Sequence, residues 1–474
     1  MISNIKMLKQ ILLLTLITYT TSKTMTIFMD VPDTEKVVSR LMDISNPVSQ
    51  NYGKYMSLEE MIEFVSVPTT KYVIPYLQNT TFVNFGDNIE VYDTDENIQT
   101  IYNKLVDVPY IKFMEGIYDT EQKIRNKIKS VSTKDVDEGY VSRETIIRIN
   151  NIPEHLHVST SSSVATIEFG DGGFNVSDYR KSLEMNNVVN TNPLYIIGSF
   201  NEDGTESALD VQMVGMTSPN VTLYYINYDS SQWIASCASN ISNMISPPMV
   251  LSISYGWSLY HQCDIVHCGN LTSEEYVNLS NYYIAKVGLR GSTVVVSSGD
   301  SGSPSRANEM CNNVPYVQAE FPSSSPFVLS VGGVFIESNN NTMNFTTPLC
   351  NTFKCATGNT TRLVQNQYVN WASGSGFTVN QNRSEYAPWQ NSLVAEYLKT
   401  NVSFPEYNFN RNGVSRPDLV NLANNGAVFM YSSLESVGGT SMSCPIVAGL
   451  ISLLNNKRLM NNLPTMGFIN QLLY

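Results

Sequence analysis

The chain has 474 residues, 42% of them apolar and 15% charged, which suits two or three globular domains with a large core and excludes a disordered protein. A formal net charge of -13 and a pI near 4.9 exclude nucleic acid as the natural partner. No apolar run reaches the ~18 residues of a membrane span, so none is expected.

In chain order, Lys6 and Lys9 precede the apolar run Ile11–Ile17, and Thr20-Thr21-Ser22 follow it. That layout predicts a secretory signal peptide over residues 1–22. Eleven Asn-X-Ser/Thr sequons, from Asn79 to Asn401, then become usable glycosylation acceptors, which requires them on the surface. Residues 23–135 form a first region, which holds no cysteine. Within it Pro47–Glu60 reads as a turn, an aromatic-rich extended piece and a helix start, with Ser57 as cap and Glu60 at the capping-box position. From about 117 to 139 the sequence is charged and polar, the composition of an exposed linker where proteolytic cuts concentrate.

Residues 136–474 change character. Apolar runs at Val164–Phe169, Val221–Ile226, Val250–Ile253, Thr293–Val296 and Val328–Val331 alternate with helix-like stretches. This α/β pattern predicts a parallel sheet with helices on both faces, and such sheets bind ligands at the carboxyl ends of their strands. All seven cysteines fall here. Cys263/Cys268 and Cys350/Cys355 are local pairs suited to disulfides, which leaves Cys237, Cys311 and Cys444 over.

Three stretches carry chemistry. Thr205–Val214 has helical apolar spacing and sets Glu206 and Asp210 four apart on one face, where like charges repel unless they share a proton. An isolated pair of this kind is more often two solvated acids. Val294–Gly302 is a buried strand running into a glycine turn that holds Asp300, by itself an ordinary Asx turn. Gly438-Gly439-Thr440-Ser441-Met442-Ser443-Cys444-Pro445 leads into the apolar run Ile446–Leu454. A serine there stands at a helix N-terminus, where free N–H groups favour developing negative charge. Pro445 is expected in the first turn, where a missing N–H costs nothing.

Together these stretches resemble the sedolisins, the serine-carboxyl peptidases. The segment GTSMSCP is similar to their nucleophile segment, E-x-x-LD-x-Q at Glu206–Gln212 to their acid helix, and SSGDSG at Ser297–Gly302 to their oxyanion loop. NP-x-S-x-x-YGKY-x-S-x-EE, from Asn46 to Glu60, resembles the signature of their prodomains. Ser254-Tyr255-Gly256 resembles the family's substrate-cleft strand, Ser373–Phe377 with Ser375 and Gly376 its glycine loop, and Arg416-Pro417-Asp418 its PD element. The resemblance implies a subtilisin-like α/β peptidase domain behind a small α+β prodomain that inhibits it until removed. It implies Ser441 as nucleophile, Glu206 as base, Asp210 as its orienting partner and Asp300 in the oxyanion hole. Substrates would be peptides or proteins with free N-termini, cut at acid pH in a lysosome or outside the cell, with tripeptides released as in the tripeptide-releasing members and some endopeptidase activity besides. A glutamate base explains the acid optimum, because a histidine would be protonated below about pH 6. Relatives extend further and bind calcium there, but no Asp-rich loop follows Ser441, so no metal ligand is carried over and no cofactor is identified.

Two other readings were weighed. A histidine-based subtilisin would need His155, His157, His261 or His267 in an H-G-T-like turn, and none is in one. A non-catalytic secreted glycoprotein that keeps the fold for binding would have no need of Glu206, Asp210, Asp300 and Ser441 together.

Overall fold

A computed structural model describes residues 23–31, 33–119, 135–156, 161–170, 172–303, 305–306, 319–339, 343–400 and 409–474. The expected signal peptide, most of the expected linker and Cys311 lie outside the described residues.

The N-terminal unit is a four-stranded antiparallel sheet in the order β2-β3-β1-β4, formed by β1 (Lys23–Met29), β2 (Thr81–Asn84), β3 (Asn88–Asp93) and β4 (Ile111–Glu115). Three helices serve it: α1 (Thr34–Ser45), α2 (Leu58–Val65) and α3 (Asp95–Leu105). The predicted capping box closes α2, with Ser57 Oγ accepting from Glu60 N–H and the Glu60 carboxylate from Ser57 N–H. Alternate residues split the sheet's faces. Met25, Ile27, Ile89, Val91 and Met114 form the unit's own core with Ile98 and Ile101 of α3. Phe28 and Phe113 point the other way and join the core of the larger domain.

That domain is built on an eight-stranded sheet. Its path runs β11 (Thr361–Leu363), β10 (Leu329–Ile336), β9 (Thr293–Ser297), β8 (Val250–Ile253), β5 (Ser163–Phe169), β7 (Thr222–Tyr228), β6 (Leu194–Gly198), and β14 (Leu419–Leu422) also pairs with β10. Every pairing is parallel except β10 with β11. The predicted runs became strands because both faces are covered. Ala165, Ile167, Leu251, Ile253, Val294 and Val296 pack toward α7 (Ile234–Asn243) and α8 (Ser273–Leu289). Val164, Leu223, Val250 and Val295 pack toward α6 (Thr205–Thr217) and α9 (Thr440–Met460). Both expected disulfides are formed, Cys263–Cys268 and Cys350–Cys355, while Cys237 and Cys444 are buried thiols.

The N-terminal unit sits on α7 and α8. Leu41 of α1 packs against Gly288, Met56 N–H donates to Leu289 O at 2.9 Å, and Asp87 makes a fully buried ion pair with Lys286 at 2.8 Å. Residues 135–142 belong to the larger domain. Val136 bridges to Glu337, Tyr140 to Cys355 and Val141 to Gly426. The buried Asp137 carboxylate accepts from the N–H groups of Gly139, Thr357 and Gly358 at 2.9–3.0 Å.

Candidate active site

The residues singled out in the sequence converge at the carboxyl ends of β5, β8 and β9. Ser441 is the second residue of α9, which starts at Thr440. Gly439 precedes it with φ +141°, and a Cβ there would stand 2.9 Å from Asp300 Oδ2. Only glycine suits both that backbone and that approach. Asp300, three residues past the end of β9, caps the helix in place of a local side chain. Its Oδ1 accepts from Thr440 N–H at 2.8 Å and from Thr440 Oγ–H at 2.9 Å. The carboxyl group expected to serve the oxyanion thus meets the N-terminus of the nucleophile helix.

Pro445 departs from expectation. It is the sixth residue of α9, a full turn in, because the helix begins at Thr440. Without its N–H, Ser441 O has no helical donor. The Ser254 hydroxyl comes within 3.4 Å of that carbonyl, and Ser441 Oγ–H donates to Ser254 O at 3.4 Å. Ser254 Oγ–H makes its shortest bond, 2.8 Å, to Asp210 Oδ1. Ser254 therefore touches both the nucleophile and the acid helix. Its side chain is fully buried, and that of Tyr255 is buried too, with 6% exposure. Gly256 lies behind them, against Glu320 and Phe321.

Glu206 and Asp210 both lie on α6, as the spacing predicted, Glu206 half-buried in the first turn and Asp210 with no exposure. A third acid joins them that the sequence reading missed. Glu168 of β5 is fully buried, and Tyr255 O–H donates to its Oε2 at 2.8 Å. Burial, then the Glu206 charge, push the Glu168 carboxyl up to about 8, against hydrogen bonds from Tyr255 and Ser207. Burial, then the Glu168 and Glu206 charges, hold Asp210 well above the usual carboxylate range, while the Ser254 bond acts to lower it. Three carboxyl groups confined this closely cannot all ionise, so they hold protons between them.

The glycine loop adjoins this centre. Gly374 N–H donates to Gly299 O at 2.7 Å, and a Cβ on Gly374 would fall 1.9 Å from Ser298 O, so the loop approaches the Asp300 turn as only glycine allows. Ser375 Oγ lies 3.3 Å from Ser303 Oγ, and Gly376 opens β12 (Gly376–Asn382). Arg416 and Asp418 form a buried ion pair at 2.6 Å, a structural brace. The described histidines are elsewhere: His155 is exposed, His261 pairs with Asp264 and His267 rests on Tyr118. Among the described residues no group of three or more His, Cys, Asp or Glu could hold a metal ion.

Comparison with known proteins is consistent along the whole chain. Residues 15–128 match the pro-kumamolisin activation domain, and residues 145–465 match the subtilase family. Physarolisin of Physarum polycephalum is 30% identical over 92% of this chain and 81% of its own length. Tripeptidyl-peptidase 1 of Dictyostelium discoideum is 27% identical over 75% of this chain, which spans about half, 54%, of that relative. Mouse tripeptidyl-peptidase 1 is 23% identical over 93% of this chain and 80% of its own length. The solved structure of Pseudomonas sedolisin with two molecules of pseudo-iodotyrostatin aligns with a TM-score of 0.48 at 20% identity, covering 73% of this chain and 86% of that one.

Proposed function

The chain belongs to the sedolisin branch of the subtilase family, as a serine peptidase behind its own activation domain, and from that premise we propose that it works at acid pH on peptides with free N-termini, releasing tripeptides and cutting some longer chains internally. The observation that carries the acid reading is the buried set of Glu168, Glu206 and Asp210, tied to Ser441 through Ser254. In such a set Glu168 and Asp210 hold protons against the Glu206 charge, which leaves Glu206 as the carboxylate able to serve as base where imidazole would be protonated.

In the proposed reaction Ser441 Oγ attacks the scissile carbonyl carbon, and its proton passes to a carboxylate oxygen of Glu206. Asp210 orients Glu206 and shares the proton. The carbonyl π electrons move to oxygen, and Asp300, as a neutral acid, donates from Oδ2 to that oxyanion while Oδ1 stays on Thr440. Glu206 then returns the proton to the leaving amine as the C–N bond breaks, and water hydrolyses the ester by the same steps reversed. No step is routed through a metal.

We assign the domains as signal peptide 1–22, prodomain and linker 23–135, and peptidase 136–474, in the secretory pathway with a lysosomal or extracellular destination. Exposure of the sequon residues Asn79, Asn270, Asn278, Asn344, Asn359 and Asn382 supports a glycoprotein. No helix among the described residues is long and apolar enough to cross a membrane. The test is hydrolysis of a fluorogenic tripeptide amide from pH 3 to 7 after acid incubation of the precursor, beside Ser441→Ala. Acid-dependent release that vanishes in the variant supports the reading. Folded protein inactive on tripeptide and longer peptides overturns it.

A further inference from the structure

The face of the N-terminal sheet that meets the larger domain carries acids where apolar groups are the rule. Alternation along the strands sends Thr26, Phe28, Asn88, Glu90, Phe113 and Glu115 to that face, and all six are buried. Asp87 stands at the end of β3 beside them, so three buried carboxyl groups enter one interface.

Among the described residues only one buried ammonium meets them. Both Asp87 oxygens take Lys286 Nζ at 2.8 Å, and Tyr282 O–H adds a bond of 2.8 Å. Among the described residues nothing cationic bonds to the other two. Glu115 is held by Trp233 N–H, by Tyr276 O–H at 3.1 Å and by Ser236. Glu90 is held by Asn243 Nδ2 at 2.7 Å and by the Tyr92 hydroxyl, with Lys286 further off. The remaining charges nearby are engaged elsewhere. Arg290 donates to the carbonyls of Met56, Met244 and Ile245 and faces Glu59 and Glu60, Lys23 pairs with Asp119, and Lys112 faces Glu275. Burial keeps the Cys237 thiol and the Tyr228 hydroxyl neutral. If all three acids were ionised, two buried negative charges would lack a counter-ion, which costs several kcal/mol each. Glu90 and Glu115 fit as neutral acids, because the Tyr92 and Tyr276 hydroxyl oxygens can accept a hydrogen bond as well as donate one.

We infer that the α7–α8 face is a receptor for neutral carboxylic acids, and that the N-terminal unit docks on it with Glu90 and Glu115 protonated, so that docking takes up protons and tightens as the medium acidifies. Burial supports this, pushing Glu115 up to about 7 and raising Glu90, each against its hydrogen bonds. The sign follows. An undocked glutamate titrates near ~4.3. A carboxyl whose docked value is higher contributes fully below ~4.3 and loses that contribution as pH rises through its docked value, about 7 for Glu115. From pH 8 to pH 5 docking should strengthen on the order of 10- to 100-fold through Glu115 alone. Acid then does not pry the N-terminal unit off at these groups. Release has to follow chain cleavage.

The experiment uses the full chain carrying Ser441→Ala, which keeps it in one piece and makes the result independent of any peptidase activity. Amide hydrogen exchange in β3, β4 and α8, corrected for intrinsic rates, gives the opening constant of the interface between pH 5.5 and 8. We expect opening to rise 10- to 100-fold toward pH 8, and Glu115→Gln to flatten most of that rise while keeping the interface closed. Should Glu115→Gln not fold, carboxyl-carbon NMR of glutamate-labelled parent chain decides, with two interface carboxyls protonated at pH 6. Opening that is flat or decreases with pH, or Glu90 and Glu115 carboxyls both ionised at pH 6, overturns the inference.

Discussion

At the scale of single residues, Ser254 is the contact on which the site turns. Its hydroxyl lowers Asp210 against burial and two like charges. Ser254→Ala removes that donor, so Asp210 should rise further and the acid limb of kcat/KM should move up by about one pH unit, with Ser254→Thr restoring it. Gly439→Ala should lower kcat/KM about 100-fold, because a Cβ forced to φ +141° meets Asp300 Oδ2 and displaces the group proposed for the oxyanion. Titrating a tripeptide substrate across pH with each variant checks both. Ser441, Glu206, Asp210 and Asp300 were legible because motifs with fixed spacing carry them. Glu168 was not, since one acid in a strand has no spacing to read. Its trace was an ionisable residue at an inward position of the apolar run Val164–Phe169, which needed a partner to be tolerated.

At the scale of elements, the starts of β5, β7, β8, β9 and β10 were legible within a residue because both sides of the sheet are packed and an apolar run then has no other stable place, though β10 runs five residues past the run Val328–Val331. The start of α9 was not, because its cap comes from Asp300, 140 residues away, and no local signal marks it. Pro445 was misplaced for the same reason. The contact of α8 with the N-terminal unit is where removing one side chain costs most. Lys286→Met strands the Asp87 carboxylate in a fully buried site and should destabilise the intact chain by about 3–5 kcal/mol. Asp87→Leu combined with Lys286→Met should recover most of that loss. Chemical denaturation of the three proteins, with the Ser441→Ala change in each, measures the difference.

At the scale of the whole molecule, its buried acids set a pH preference. Glu168, at about 8, and Glu115, at about 7, both lie above the ~4.3 of an exposed glutamate, so their contribution to stability is full in acid and is lost as pH rises through those values. The melting temperature of the Ser441→Ala chain should fall by roughly 5 °C between pH 5 and pH 8, read by differential scanning calorimetry. The docking of two units through acids was not legible in the sequence. The donors that receive Glu90 and Glu115 sit on α7 and α8, more than 100 residues further along, and carry no motif.

The stitched segment at residues 135–142 has a meaning for the life of such an enzyme. On the proposed reading, in which chains are consumed from their free ends, the enzyme makes a substrate of itself the moment its prodomain is cut away, for every molecule then offers its neighbours a fresh terminus. Three bridges and the Asp137 knot hold the polypeptide flat against the domain from Val136 onward, out of reach of a cleft that needs an extended, unattached strand. Terminal sequencing of the matured protein should find it beginning before Val136. Erosion by its siblings would shorten the new end and then halt at the first residue the fold refuses to give up.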